Sequence, residues 1–165
     1  PPADEVAAGK ALEGPLACEV SPAGDIYVGN IRDSAWGGGA NTGSLVKLTP
    51  GEQLAPGIAE VRARSDGFEI LFTAAVDRVR AAAKSSYRIA SYRRISTPSY
   101  GGDDVDRADH KVQEVRVAAD GRSAQLKLDA LRAGFVYELR LENLAGEGET
   151  FHPDEAHYSL NRVPR

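Results

Sequence analysis

Methionine is absent from this chain, and cysteine and tryptophan occur once each, at Cys18 and Trp36. A sequence without its initiator is expected to have been processed, trimmed, or cut from something longer. A lone thiol cannot close an internal disulfide, so cysteine usage leaves the redox compartment open. Positive charge is not in excess either: 20 Lys and Arg stand against 24 Asp and Glu, a formal net charge of −4. That balance removes the broad basic footprint expected of a nucleic-acid binder. No apolar run approaches the roughly 20 residues needed to span a bilayer, and Pro1 does not open a basic-then-apolar leader. The chain is therefore expected to be soluble and without a transmembrane segment of its own, with export left open.

What is present is strand and turn signal. At 165 residues the chain can hold one ordinary domain, or a small piece plus a domain, and its Leu, Val, Ile and Phe content speaks against wholesale disorder. Two Asp-Gly steps, Asp66-Gly67 and Asp120-Gly121, each sit between runs of roughly alternating apolar residues. This is the strongest short-range hairpin signal, because Gly accepts the positive φ that tight turns require. Ile58–Ala63 and Phe68–Thr73 read as the first hairpin, and Val112–Val117 and Ala124–Leu128 as the second. Between them, Val76–Lys84 carries helix formers and is expected to form a short helix bridging two sheets. Tyr87–Ile95 resumes a strand, and Thr97–His110 reads as a polar, acidic loop. In Phe135–Leu141, Phe135, Tyr137, Leu139 and Leu141 face one way and Glu138 and Arg140 the other, a period of two that assigns one face to a core. Tyr158–Val163 supplies a closing strand. The expectation for 58–165 is an antiparallel immunoglobulin-like or fibronectin-like β-sandwich of about seven strands.

The first fifty residues read differently. Asp4–Leu12 offers a possible helical turn, Leu16–Val20 and Asp25–Asn30 two strands joined across Ser21–Gly24, and Ser44–Leu48 a third strand after the Gly-rich run Trp36–Gly43. Residues 1–50 are taken as an arm, and 51–57, in a stretch punctuated by Pro50, Gly51, Pro56 and Gly57, as a linker. The whole is a mainly β chain, a sandwich preceded by a small sheet.

Ser21-Pro22-Ala23-Gly24-Asp25-Ile26-Tyr27-Val28-Gly29 resembles the strand pair of a terminal propeller blade in sorbosone-dehydrogenase-like and related quinoproteins. Gly57 to Pro164 resembles the Ig-like module that follows that blade in large exported haem-containing bacterial proteins, through Gly67–Thr73, Ser86–Ile89, Ser99–Gly101, Ala119–Arg122 and Tyr158–Asn161. The resemblance covers roughly residues 16 to 164. It implies a propeller-blade-like arm, an Ig-like sandwich, a periplasmic or otherwise exported setting, and association with redox proteins. It transfers no activity, because the family's redox work belongs to a full propeller and a Cys-x-x-Cys-His haem site that this chain does not contain.

Candidate chemistry is thin. Asp103, Asp104, Asp106 and Asp109 are the best cation candidates, since Ca²⁺ favours several closely spaced oxygens on a loop, yet the stretch lacks the central Gly and closing Glu of an EF-hand. A solvated turn is its default reading. His152 and His157, with Asp154 and Glu155 between them and Pro153 interrupting, match no ligand spacing and read as a polar loop. Gly37-Gly38-Gly39 lacks the Lys-Ser/Thr ending of a phosphate loop. Cys18, beside Ala17 and Val20, reads as inert packing. Arg88, Arg93 and Arg94, with Tyr87, Tyr92 and Tyr100, either meet an acidic partner or lie along the outside of a strand. No nucleophile is marked and no cofactor is implied.

The leading expectation is a non-catalytic accessory or structural subunit that joins a larger periplasmic redox or membrane-associated assembly, respiratory or photosynthetic, through residues 1–50. Trp36, Tyr27, Ile31 and Leu45 are its candidate contacts. The alternatives are a C-terminal fragment of a quinoprotein or haem dehydrogenase, and a carbohydrate-binding or adhesive sandwich. The latter requires Trp36, Tyr92 and Tyr100 to line one surface.

Overall fold

In the computed structural model, the residues described are 4–5, 12, 14–32, 42–49, 55–98, 101–146 and 149–165. The chain divides into two compact units, residues 1–52 and 53–165. Among the described residues no helix is long and apolar enough to cross a membrane.

The first unit is a four-stranded sheet built from β1 (Asp4–Glu5), β2 (Pro15–Val20), β3 (Ile26–Arg32) and β4 (Thr42–Leu48), in the order β1-β4-β3-β2. Strands β2, β3 and β4 form an antiparallel meander, whereas β1 pairs parallel with β4 through Asp4 and Glu5. The β2–β3 turn closes as its Pro and Gly suggest, with the Gly24 N–H donating to Ser21 O at 2.8 Å and the Ser21 N–H to Asp25 O at 2.8 Å. Of the helical turn expected over Asp4–Leu12, Asp4–Glu5 is extended, and residues 6–11 lie outside the described residues. An edge position on β4 offers these residues backbone partners that an isolated helical turn, costly to nucleate, does not. The expected Gly-rich loop and Trp36 lie outside the described residues.

The second unit is the sandwich. It contains β5 (Ile58–Arg64), β6 (Gly67–Phe72), helix α1 (Arg78–Ala82), a single 3-10 turn at Lys84–Ser86, β7 (Tyr87–Arg94), β8 (Asp104–His110), β9 (Val112–Val117), β10 (Ser123–Leu128), β11 (Phe135–Leu141) and β12 (Glu155–Leu160). One sheet runs β5-β6-β10-β9 and the other β12-β11-β7-β8, every pair antiparallel. Phe68, Ile70, Phe72, Ala124, Leu126 and Leu128 from the first sheet meet Tyr87, Ile89, Tyr137, Leu139, Leu141 and Leu160 from the second. The strict in-out alternation of β10 and β11 is what burial on one face only demands. Burying an aromatic or aliphatic side chain in such a layer is worth about 1.5–3 kcal/mol.

The chain changes sheets three times: through α1 between β6 and β7, through Lys111 alone between β8 and β9, and through Asp129–Gly134 between β10 and β11. Helix α1 is five residues long and is held at its start by Asp77, whose Oδ1 accepts from the N–H groups of Val79 at 2.8 Å and Arg80 at 3.0 Å. Those two donors hold the Asp77 carboxyl below its ordinary range, so the cap it provides is complete above the unfolded carboxyl's pKa and is lost as pH falls through the lower folded value. Amide exchange at Val79 and Arg80 should therefore accelerate, relative to the β11 amides, as the pH is taken from 5 down toward about 2. Asp77→Asn, which keeps an acceptor that does not titrate, should flatten that dependence.

Two boundaries differ from the sequence reading. Thr97–His110 was expected as loop, yet Asp104–His110 is a strand on the open edge of β7. Its pairing comes from the β7 backbone and from ion pairs of Arg94 with Asp104 at 2.9 Å and of Arg93 with Asp106, not from an apolar face. The closing strand begins three residues earlier than expected, at Glu155, because Tyr158 sits opposite Tyr137 and Leu160 opposite Phe135.

The two Asp-Gly steps also separate. Gly121 has φ +69 and turns β9 into β10 as expected, with Asp120 accepting from the Arg122 N–H at 2.9 Å. In the first hairpin the turn is Ser65-Asp66, and Gly67 already pairs with Arg64 as the first residue of β6. What Gly67 supplies is space: a Cβ there would lie 1.9 Å from the Leu126 carbonyl oxygen.

Candidate functional site

Inside the sandwich, Tyr137 on β11 is fully buried, and its hydroxyl accepts the Arg132 N–H at 2.6 Å. Its ring lies 5.0 Å from Phe68 and 5.2 Å from His110, centroid to centroid. A tyrosine near the start of a strand, tied back to the backbone a few residues upstream, is the tyrosine corner of immunoglobulin-like sandwiches. Burial raises its phenol above the ordinary range, partly offset by the Arg132 N–H. The sequence signal for it is a Tyr two residues into a strand that follows the turn Leu131–Gly134, which the strand pattern alone does not single out.

Beside it lies an arrangement that the sequence does not announce. Ser91 Oγ is 2.8 Å from His110 Nε2, and His110 Nδ1 is 3.5 Å from Asp129 Oδ1. These are the residue types of a hydrolytic triad in the right order. Ser91, however, is fully buried in the middle of β7 and faces the core, not a solvent-open turn. No substrate carbonyl can approach its hydroxyl, and Asp129 Oδ1 is already occupied by the N–H groups of Lys111 at 3.2 Å and Ala130 at 3.0 Å. The group satisfies a buried hydroxyl and imidazole next to the tyrosine corner, as buried polar atoms require.

The cation candidates do not converge. Asp104 and Asp106 are bound to Arg94 and Arg93, Asp109 lies opposite Ala90, and Asp103 accepts the Ile95 N–H through its backbone carbonyl at 3.2 Å. A strand spreads its carboxylates at about 3.3 Å per residue, and arginines occupy an oxygen of Asp104 and of Asp106. Among the described residues no group of three or more His, Cys, Asp or Glu side chains is placed to hold a metal. His157 is on β12 and not in a loop, with Nε2 at 2.8 Å from Glu155 and Nδ1 at 3.4 Å from the Tyr92 hydroxyl, while His152 is exposed and outside that cluster.

The basic stretch of β7 lies along the outside of the sheet. Arg88 pairs with Glu142 at 2.6 Å, and Arg93 and Arg94 pair with the β8 aspartates. Tyr87 donates its hydroxyl to Ala81 O at 2.6 Å and is buried, which pushes its phenol far above the ordinary range. Tyr92 is buried beneath the guanidinium groups of Arg94 and Arg107, so it presents no platform for a sugar ring. Tyr100, like Trp36, lies outside the described residues.

The edges of the sheets are treated unequally. In the sandwich, β9 is flanked by α1 and the 3-10 turn, and β5 lies against β12. The open edge, β8, carries Asp104, Asp106, Arg107 and Asp109, and its pairing with β7 is bulged between Ser91 and Arg93. Charge and a bulge are the usual devices against edge-to-edge pairing.

Strand β2 in the first unit has neither device along most of its length. All six residues from Pro15 to Val20 are exposed, Leu16 at 72% and Val20 at 56%, and Glu19 is its single charge. Its one irregularity is a bulge at its start, between Pro15 and Ala17. Cys18 is exposed there, which corrects the reading of an inert, packed thiol: β2 is an edge strand, so apolar neighbours in sequence do not bury it. Of the other proposed contacts, Tyr27 and Ile31 are half-buried on β3 and Leu45 is exposed on β4. The register places all three on one face, with Lys47 over the Tyr27 ring at 5.9 Å.

No protein-family model matches this chain, and no curated protein matches it. Among solved structures, it is similar to the N-terminal part of the bacterial S-layer protein SbsC, with a TM-score of 0.48 and 20% identity over 66% of this chain and 24% of that one. It is also similar to the S-layer protein rSbsC, with a TM-score of 0.49 and 22% identity over 68% of this chain. The chain spans 14% of the length of that second protein.

Proposed function

We propose that this chain is a non-catalytic interaction module, an accessory part of a larger exported assembly, which it joins by strand addition at the free edge of β2. The observation that carries this reading is that all six residues of β2 are exposed among the described residues, whereas the edges of the sandwich are covered, bulged or charged. Strand addition supplies affinity through main-chain hydrogen bonds, and alternate side chains supply specificity. The sandwich is the stable body and the first unit its contact. The resemblance to the propeller-blade and Ig-like region of exported quinoproteins supports a periplasmic, redox-associated setting. The antiparallel β2-β3-β4 meander suits a blade, while the parallel β1 departs from one.

The test uses Cys18 as a built-in probe. The full chain is labelled there with a thiol-reactive benzophenone and irradiated in an extract of the cells that make it. Discrete adducts are expected, and they should disappear when Leu16 and Val20 are replaced by Lys. The control carries the label at exposed Val79, as Val79→Cys in a Cys18→Ser background. Equal adduct patterns from the two positions would sink the reading.

A further inference from the structure

We infer that the strand added at β2 is β2 of a second copy of this chain, paired antiparallel about a two-fold axis that passes through Cys18. The inference rests on strand addition at β2 and names its partner. The main chain limits the registers. In an antiparallel pair, residues alternate between those whose N–H and C=O bond the neighbour and those whose groups point away. The Ser21 N–H bonds Asp25 O across the β2–β3 turn, so Ser21 faces β3, and with it Glu19 and Ala17. Val20 and Cys18, which alternate with those residues and stand opposite Ile26 and Val28, present their N–H and C=O groups to the open side.

Two copies can bond only where outward residues meet outward residues, so a symmetric pair has its axis at a residue and not between two. Every residue of β2 meets this condition, but an axis at Pro15, Leu16, Glu19 or Val20 sets half or more of the strand opposite residues beyond its ends, which leaves Ala17 and Cys18. An axis at Glu19 also sets Glu19 against its own copy, like charge against like. An axis at Ala17 sets Val20 opposite Gly14, beyond the end of β2, and leaves its outward groups without a strand partner. An axis at Cys18 sets Leu16 opposite Val20 twice, Ala17 opposite Glu19 twice, and Cys18 opposite itself. That register pairs the two exposed large apolar residues of the strand with each other and keeps its single charge away from its copy. An isologous contact of this kind requires self-complementarity, and β2 has it in one register alone. Cross-strand pairs of this type each contribute modestly, and like charges placed directly opposite oppose association.

Charge reversal at the axis is the test. Residue 18 is exposed, so Cys18→Lys and Cys18→Glu leave the fold intact, as circular dichroism will verify. In sedimentation equilibrium of the full chain under reducing conditions, the wild type should show a concentration-dependent dimer. Each variant alone should associate more weakly, and an equimolar mixture of the two should associate roughly tenfold more tightly than either. A wild type that stays monomeric, or two variants that each dimerise as the wild type does, overturns the self-pairing. A monomeric wild type that still gives adducts at Cys18 lost with the Leu16 and Val20 changes retains strand addition and loses only the second copy as partner. Loss of both signals removes both.

Discussion

Tyr137→Ala should lower the unfolding free energy of the sandwich by about 3–5 kcal/mol, the range for deleting a buried aromatic ring. The ring fills the space between Phe68 and His110, and nothing in a two-sheet layer held by strands on both sides can close over so large a void. Tyr137→Phe isolates the hydroxyl: it keeps the ring and leaves the Arg132 N–H without its acceptor, at a cost of about 1–3 kcal/mol. Urea denaturation followed by far-ultraviolet circular dichroism separates the two, with the midpoint falling in the order wild type, Phe, Ala and the slope unchanged. If the Phe variant matches the wild type, the corner is not a stabilising contact and the assignment of Tyr137 fails.

Gly67→Ala should be as damaging as any single methyl can be in this fold. Its Cβ would stand 1.9 Å from the Leu126 carbonyl oxygen and 2.9 Å from the carbonyl carbon, backbone atoms of the neighbouring strand that cannot swing aside. Strands β6 and β10 are the two inner strands of their sheet, so separating them breaks ladder bonds and opens the layer holding Phe68, Ile70 and Leu126. A loss of at least about 3 kcal/mol is expected, above the usual cost of overpacking because the obstacle is main chain. Gly29→Ala is the control, since the nearest atom to its Cβ would be Ala17 O at 4.0 Å. Thermal melts of the two variants should differ by many degrees. Equal melts would mean that Gly67 does not sit where this register puts it.

The parts of the fold that a sequence can show are those where one residue type has one use. The alternation of Phe135–Leu141 and the Asp120-Gly121 step are of this kind, and the strands and turn found there follow from side-chain period and from φ. Strand β8 was hidden because an edge strand takes its order from its neighbour's backbone, and Asp104–His110 has no apolar face to reveal it. The exposure of Cys18 was hidden for the opposite reason. Apolar residues in Pro15–Val20 announce a strand, but burial depends on what lies beside the sheet, which no local pattern encodes. Asp66-Gly67 misled by a single position: a glycine beside an aspartate suggests a turn, while this one serves a close approach set by a strand almost sixty residues away. The Ser91–His110–Asp129 group joins three separated segments, so only the packed structure could bring it together or show that its serine is sealed from solvent.

Strands β5 and β12 bear on how the second unit would respond to force. Pro56 and Ile58 are bonded to His152 and Pro153 at one end, and Ala63 and Arg64 lie with Pro164 and Arg165 at the other, so the first and last strands run the same way. Tension between residue 56 and residue 165 would act along both strands in opposite directions. The bonds and side-chain contacts between them would be sheared together and not opened one after another. A unit built this way resists extension along the line between those two ends.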